Sequence, residues 1–199
     1  MYYEQEHASV RIVDTHTNIV QIEKNWQVIF EDKTTSLELK ADHSALIMKQ
    51  IWDFSQTVDI DDVKEILDRQ ITCNMAIANE GIHNSYGANI GHVILNMDSD
   101  CVKTKAKAYA AAGSDARMNG CELPVVINSG SGNQGITCCV PVVVYAKELD
   151  CTQEQLYRAL VLSNLTAIYI KTGIGTLSAF CGAVSAGAAA GAGIAYLHN

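Results

Sequence analysis

Residues 128–146 open with Asn128-Ser-Gly-Ser-Gly-Asn-Gln-Gly135 and continue into the uncharged run Ile136–Ala146. Three glycines in six residues let the backbone turn sharply and approach a ligand closely. The apolar run behind them predicts a buried helix, so the loop feeds a helix N-terminus. Such an end presents free N–H groups at the positive end of the helix dipole, which suits a carboxylate or a phosphate. No Gly-Lys-Ser/Thr follows, so the stretch is not a Walker loop. Gly130, Gly132 and Gly135 have the wrong spacing for a dinucleotide fingerprint, and no βαβ unit surrounds them. A structural turn into a buried helix explains the same residues, and spacing alone leaves both readings standing.

Upstream lies Gly113-Ser-Asp-Ala-Arg-Met-Asn-Gly120, with Asp115 and Arg117 either a charged pair at the rim of a site or part of a surface turn. Lys103, Lys105 and Lys107 mark an exposed helical stretch. Further back, Leu46, Ile47, Ile51 and Phe54 recur at helical spacing, as do Val63, Ile66, Leu67 and Ile71. Asp59 is placed to cap the second of these helices, with Asp61 and Asp62 in its first turn. That helix is expected to run to about Glu80 and stop at Gly81. Ser9–Val13, Asn18–Glu23 and Gln27–Phe30 are short β-branched segments that predict strands, with a hairpin through Lys24-Asn25 and Trp26 covering one face.

Downstream, Thr152-Gln-Glu-Gln155 is a capping box opening a helix that buries Leu156, Ala159 and Leu160. The Gly- and Ala-rich segment Leu177–Leu197 has too few large apolar side chains to face lipid. Gly187-x-x-x-Gly191 suggests close helix–helix approach instead. The expectation is a mostly α (α+β) chain. A small β element over 1–35 precedes a helical body over 36–199, which contains a buried Gly/Ala-rich central helix.

Composition narrows the function classes. The 199 residues are 48% apolar, with a formal charge of −8, which excludes a chain built to bind nucleic acid or an anionic membrane. Residues 1–120 hold 29 of the 36 acidic and basic side chains, so the second half must be buried against something. Cys73, Cys101, Cys121, Cys138, Cys139, Cys151 and Cys181 form no CxxC pair and match no small disulfide scaffold, and the polar start is not a signal peptide. Reduced thiols in a cytoplasmic protein are expected. No His-x-x-x-His spacing exists, and His83 and His92, flanking a Gly-rich segment, are weak acid–base candidates.

Three stretches carry a family resemblance. Ser114-Asp-Ala-Arg-Met118, Asn128-Ser-Gly-Ser-Gly-Asn-Gln-Gly-Ile136 and Leu177-Ser-Ala-Phe-Cys181 resemble the L-cysteine desulfidase family, which is related to the α-chain of the iron–sulfur L-serine dehydratases. His16-Thr-Asn-Ile-Val20 and Leu162–Tyr169 extend the similarity over most of the chain. Family members are about twice this length, so the resemblance implies a middle fragment, truncated toward the C-terminus. The family's Gly-Cys-Thr-Glu-Pro segment has no counterpart here, and Asn119 stands where the family commonly has Gly.

The resemblance implies conversion of L-cysteine (or L-serine) to pyruvate and ammonia, with release of sulfide (or water). In the family a [4Fe–4S] cluster held by three cysteines leaves one iron open as a Lewis acid. Cys181 matches the first cluster cysteine, and the other cysteines here match none, so the chain alone is not expected to hold the cluster. The loop would bind the substrate carboxylate through Asn128, Ser129, Gly130, Ser131, Gly132, Asn133 and Gln134. No residue is assigned as the catalytic base. The rival is a non-catalytic binding module or subunit of the same fold, lacking a cluster. The partners implied are a small L-amino acid and, as an open option, further copies of the chain.

Overall fold

Strand-like alternation gives way to helical periodicity near residue 46, and the architecture changes there too. The computed structural model describes residues 2–3, 6–13, 18–32, 42–175, 178 and 180–198. The strands β1 (Tyr2–Tyr3), β2 (Glu6–Ile12), β3 (Ile19–Lys24) and β4 (Gln27–Glu31) form one antiparallel sheet in sequence order. The hairpin pairs Lys24 with Gln27, so its two-residue turn is Asn25-Trp26. Both residues are left-handed, with φ of 48° and 68°, as the tightest hairpin turns require. Trp26 therefore does not cover the sheet face. It is 73% exposed and stacks on the His7 ring at 4.2 Å. Among the described residues no strand packs on a helix, so the sheet does not shape the site below.

Among the described residues seven helices follow: α1 (Met48–Thr57), α2 (Ile60–His83), α3 (Ile90–Leu95), α4 (Val102–Met118), α5 (Gly132–Glu148), α6 (Gln153–Ile174) and α7 (Gly182–Leu197). Asp59 caps α2 by accepting from the Asp61 amide at 3.1 Å, and Thr152 and Gln155 form the reciprocal capping box on α6. Gly81 does not stop α2, which runs on to His83. A Cβ at Gly81 would strike the Ala112 carbonyl of α4. The glycine is there for the α2–α4 contact.

The helix with neighbours on every side is α5, which touches α2, α4, α6 and α7. It buries Ile136, Cys138, Cys139, Val140 and Val142, which accounts for the absence of charge along 125–146. By contrast, α7 buries one face, through Ala186, Ala189, Ala190, Gly193 and Leu197. Its close contact is at Gly193, where a Cβ would meet the Ala159 carbonyl at 2.9 Å and Val142 Cγ2 at 3.0 Å. Gly187 and Gly191 face open space, so the expected small-residue contact is not made there. The reason is helical phase. The buried set runs 186, 189/190, 193, 197, and 187 and 191 lie about 100° further round. No helix among the described residues is long and apolar enough to cross a membrane.

Candidate functional site

The Gly-rich loop is a two-residue hairpin set on a helix start. Asn128 and Ser131 exchange backbone hydrogen bonds of 3.1 and 3.0 Å around Ser129 and Gly130, whose φ values are 47° and 79°. Ser131 then caps α5, its Oγ accepting from the Gln134 amide at 3.3 Å. The Gly132 and Asn133 amides, first in the helix, have no acceptor among the described residues. Gly135 is required for a different purpose. A Cβ there would strike the Val126 carbonyl, because the incoming segment folds back along the helix.

Buried Asn74 of α2 holds that fold-back in place. Its Nδ2 donates to the carbonyls of Val126 (3.2 Å) and Gly135 (3.1 Å), and its Oδ1 accepts from the Val126 amide (2.8 Å). A second set of amides ties the loop to the helices. Gln134 Nε2 donates to Asn128 Oδ1 (2.8 Å), and Asn128 Nδ2 donates to Asn164 Oδ1 (3.0 Å). Asn164 Nδ2 donates to Gln70 Oε1, and Gln70 Nε2 returns a bond to Asn164 Oδ1, both at 2.8 Å. The Cys138 thiol adds a donor to Asn164 Oδ1 at 3.3 Å. Burial pushes that thiol up to about 12, so it stays protonated. The Gln134 oxygen, at the other end of the set, is fully buried and has no hydrogen-bond partner.

Gln134 also brings Cys181 to the loop. A Cβ on Gly182, the first residue of α7, would collide with Gln134 Oε1. The exposed Cys181, which precedes Gly182 at the N-cap, therefore sits beside the start of α5. Arg117 approaches from α4: its guanidinium lies over Gly132, and Nη1 donates to Asn133 Oδ1 at 3.2 Å. Asp115 does not pair with it. Its Oδ2 accepts from the Ile90 amide at the start of α3. A cleft of about 270 Å³ adjoins Asn128 and Ser129, lined by apolar side chains of α2 and α6 and by the amides of Gln70 and Asn164.

A family model described as serine dehydratase alpha chain matches residues 4–199. The chain belongs to that family. It is 54% identical over 201 residues to a UPF0597 protein of Desulfitobacterium hafniense (strain Y51), covering 100% of this chain and 47% of that one. A UPF0597 protein of Lachnoclostridium phytofermentans is 55% identical over 191 residues, covering 96% of this chain and 46% of its own. One from Finegoldia magna is 49% identical over 193 residues, with 96% and 46% covered. The chain thus spans about half the length of the curated relatives it matches. No solved structure matches it.

For a serine dehydratase alpha chain relative the metal question is pointed. All seven cysteines are free, and Cys138 and Cys139 are buried with their thiols pushed up by desolvation. Among the described residues no three His, Cys, Asp or Glu side chains gather as a metal-holding group. Cys181 is a single exposed thiol, and one thiolate does not hold a four-iron cluster. The residues present do not fit that group by themselves. Of the resemblance motifs, His16, Thr17, Leu177 and Ala179 lie outside the described residues. Asn119 sits at φ −105°, where no glycine is needed, and its Nδ2 caps the Asp115 carbonyl at 2.8 Å.

His83 Nδ1 meets the Asn79 carbonyl at 2.7 Å and His92 Nε2 meets that of Ile82 at 2.5 Å, so neither serves the loop. Sequence reasoning missed Asn74, Gln70 and Asn164. Their signal was available as amides on otherwise apolar helix faces. Leu67, Gln70, Asn74 and Ile77 share one buried stripe of α2.

Proposed function

We propose that this chain supplies the amino-acid-binding part of a lyase that converts L-cysteine or L-serine to pyruvate and ammonia. The β-elimination breaks the Cα–H bond and the bond from Cβ to sulfur or oxygen, releasing sulfide or water. The resulting aminoacrylate tautomerises to an imine, which water hydrolyses to pyruvate and ammonia. The observation that carries the reading is the meeting of two helix starts: Gln134 at the head of α5 lies against Gly182 at the head of α7. That contact sets the anion-accepting Gly132 and Asn133 amides near Cys181. The loop residues Asn128 to Gln134 bind and orient the amino acid, and Ser131 and Asn128 keep the loop in shape. Cys181 is the one cysteine of this chain that the family resemblance assigns to the cluster. Seven free thiols suit a reducing, cytoplasmic setting.

The test is calorimetric titration of the chain with L-cysteine (under reductant) and L-serine. Saturable binding is expected with the parent, and strongly weakened binding with a Gly132→Val variant whose circular dichroism is unchanged. Absence of binding by the parent, or undiminished binding by the folded variant, overturns the reading.

A further inference from the structure

The antiparallel sheet is amphipathic, and its apolar face is bare. The register sets Val10 beside Ile22 and Ile22 beside Phe30, so these three side chains share one face across β2, β3 and β4. The alternate positions point the other way. Arg11, Gln21 and Glu31 lie in register there, as do Ser9 and Glu23. On that side His7 meets Glu23 at 3.4 Å and carries Trp26 stacked on its ring. Such alternation marks a sheet with one face in water and the other packed on a core. The core side is not packed here: Val10 is 58% exposed and Phe30 44%. Among the described residues none of the seven helices touches a strand. A small sheet needs a packed face to be stable, so this one is built to be covered.

We infer that the Val10–Ile22–Phe30 face is a docking surface for an amphipathic helix from the flanking sequence that the full-length relatives carry. Two observations select this occupant. The family match takes in the sheet, from residue 4 onward. The Desulfitobacterium hafniense relative matches all of this chain with 47% of its own length, so more than half of that protein lies outside the matched stretch. The second observation is area. Three strands about 4.8 Å apart, each about five residues long at about 3.4 Å per residue, give a face on the order of 250 Å². A stable contact between two copies buries about 800 Å² on each side, so this face alone does not hold a dimer. A segment of the same polypeptide docks without the loss of translational freedom that a separate partner suffers.

The face also states the chemistry of its partner. It presents no charge, and a helix about 10 Å across spans the middle strand and reaches both neighbours. The docking helix therefore brings an apolar stripe at i, i+3, i+4 and i+7 and keeps its charges on the far side. Helix on sheet is one of the few stable ways to bury such a face. Arg11, Glu23 and Glu31 remain in water on the opposite side. The inference does not depend on the amino-acid-binding reading above.

The experiment compares this chain alone with the full-length Desulfitobacterium hafniense relative by carbene footprinting, read on peptides by mass spectrometry. Peptides holding Val10, Ile22 and Phe30 should label heavily in this chain, and the matching peptides of the relative severalfold less. The peptide around Leu160, which is fully buried, is the reference and should be protected in both. Phe30→Lys and Gln21→Lys then separate the two faces. Each is made in this chain and in a chimera in which this chain replaces the matched stretch of the relative. Phe30→Lys should lower the chimera's melting temperature by about 5 °C or more and that of the chain alone by much less. Gln21→Lys should act alike in both. Equal labelling of the sheet in the two proteins, whether both open or both protected, overturns the inference, and the footprint decides even if the chimera does not fold. A dimer of either protein, seen by sedimentation, that Phe30→Lys dissociates also overturns it, because the face then belongs to a second copy.

Discussion

Gly132 and Gly135 stand three residues apart in one motif, and the structure assigns them opposite costs. An added methyl at Gly135 meets backbone: the Val126 carbonyl and, at 3.0 Å, the Cα and carbonyl carbon of Ile127. That segment is pinned by three hydrogen bonds to Asn74 and cannot yield without breaking some of them. Overpacking of this kind costs about 1–3 kcal/mol. Each buried bond lost adds about 1 kcal/mol, against a gain of up to about 1 kcal/mol from alanine's helix propensity. Gly135→Ala should therefore destabilise the chain by about 2–4 kcal/mol, or roughly 5–15 °C in melting temperature for a protein of this size.

At Gly132 the methyl meets the far end of the Arg117 side chain, which can swing aside. Gly132→Ala should leave stability within about 0.5 kcal/mol of the parent. It should still weaken L-serine binding by roughly tenfold, the equivalent of about 1.4 kcal/mol, because the guanidinium is displaced from the helix start. Urea unfolding and calorimetric titration of the two variants, side by side, decide the matter. A Gly135→Ala protein as stable as the parent, or a Gly132→Ala protein as unstable as Gly135→Ala, would refute the reasoning.

Two further outcomes follow from the packing. Gly193→Val should cost about 1–3 kcal/mol, because its side chain enters the contact with Ala159 and Val142, whereas Gly187→Leu projects into open space and should leave the unfolding midpoint no lower, and up to about 1 kcal/mol of helix propensity higher. The buried Cys138 thiol, pushed from 9.0 up to about 12 by desolvation, gives an alkaline effect of known sign. The unfolded chain releases this proton first, so the stabilisation is fully present below pH 9 and is lost as pH rises toward 12, at up to about 1.4 kcal/mol per unit. Cys138→Ala should be less stable at neutral pH and lose less between pH 9 and 12, which urea melts across that range would reveal.

What the sequence discloses here is local, and what it hides is not. The caps at Asp59 and Thr152 depend on residues two or three positions apart, and both form as the text predicts. Gly81 misleads for the same reason: a glycine late in a helical pattern is read as a terminator, and only the approach of α4 reveals it as a contact. Gly187-x-x-x-Gly191 misleads through phase, since the small residues on both faces of α7 leave its sequence without a pattern that marks the buried side. The loop is legible because its glycines are concentrated in one place. Its supports come from Asn74 and Asn164, which lie 52 residues before Val126 and 36 residues after Asn128 along the chain.

Gln134 joins the two levels. Ser131-x-x-Gln134 has the form of a capping box, in which the glutamine side chain would reach back to the Ser131 amide. Half of the box is made, since Ser131 Oγ accepts from the Gln134 amide, but the Ser131 amide is already bonded to the Asn128 carbonyl across the hairpin. The glutamine side chain is thereby released inward to Asn128, and its oxygen is left at the head of α7. The tight hairpin at Ser129-Gly130 is therefore more than a means of reversing the chain. By occupying one N–H it frees one buried amide, and a neutral amide is far cheaper to keep in an apolar interior than a charge. With no acidic or basic residue in Val125–Ala146 or Thr172–Asn199, the meeting point of α5 and α7 is built from amides, one thiol and two helix starts. Among the described residues the permanent charge that reaches it, Arg117, is brought in from α4 at the edge and is only partly buried.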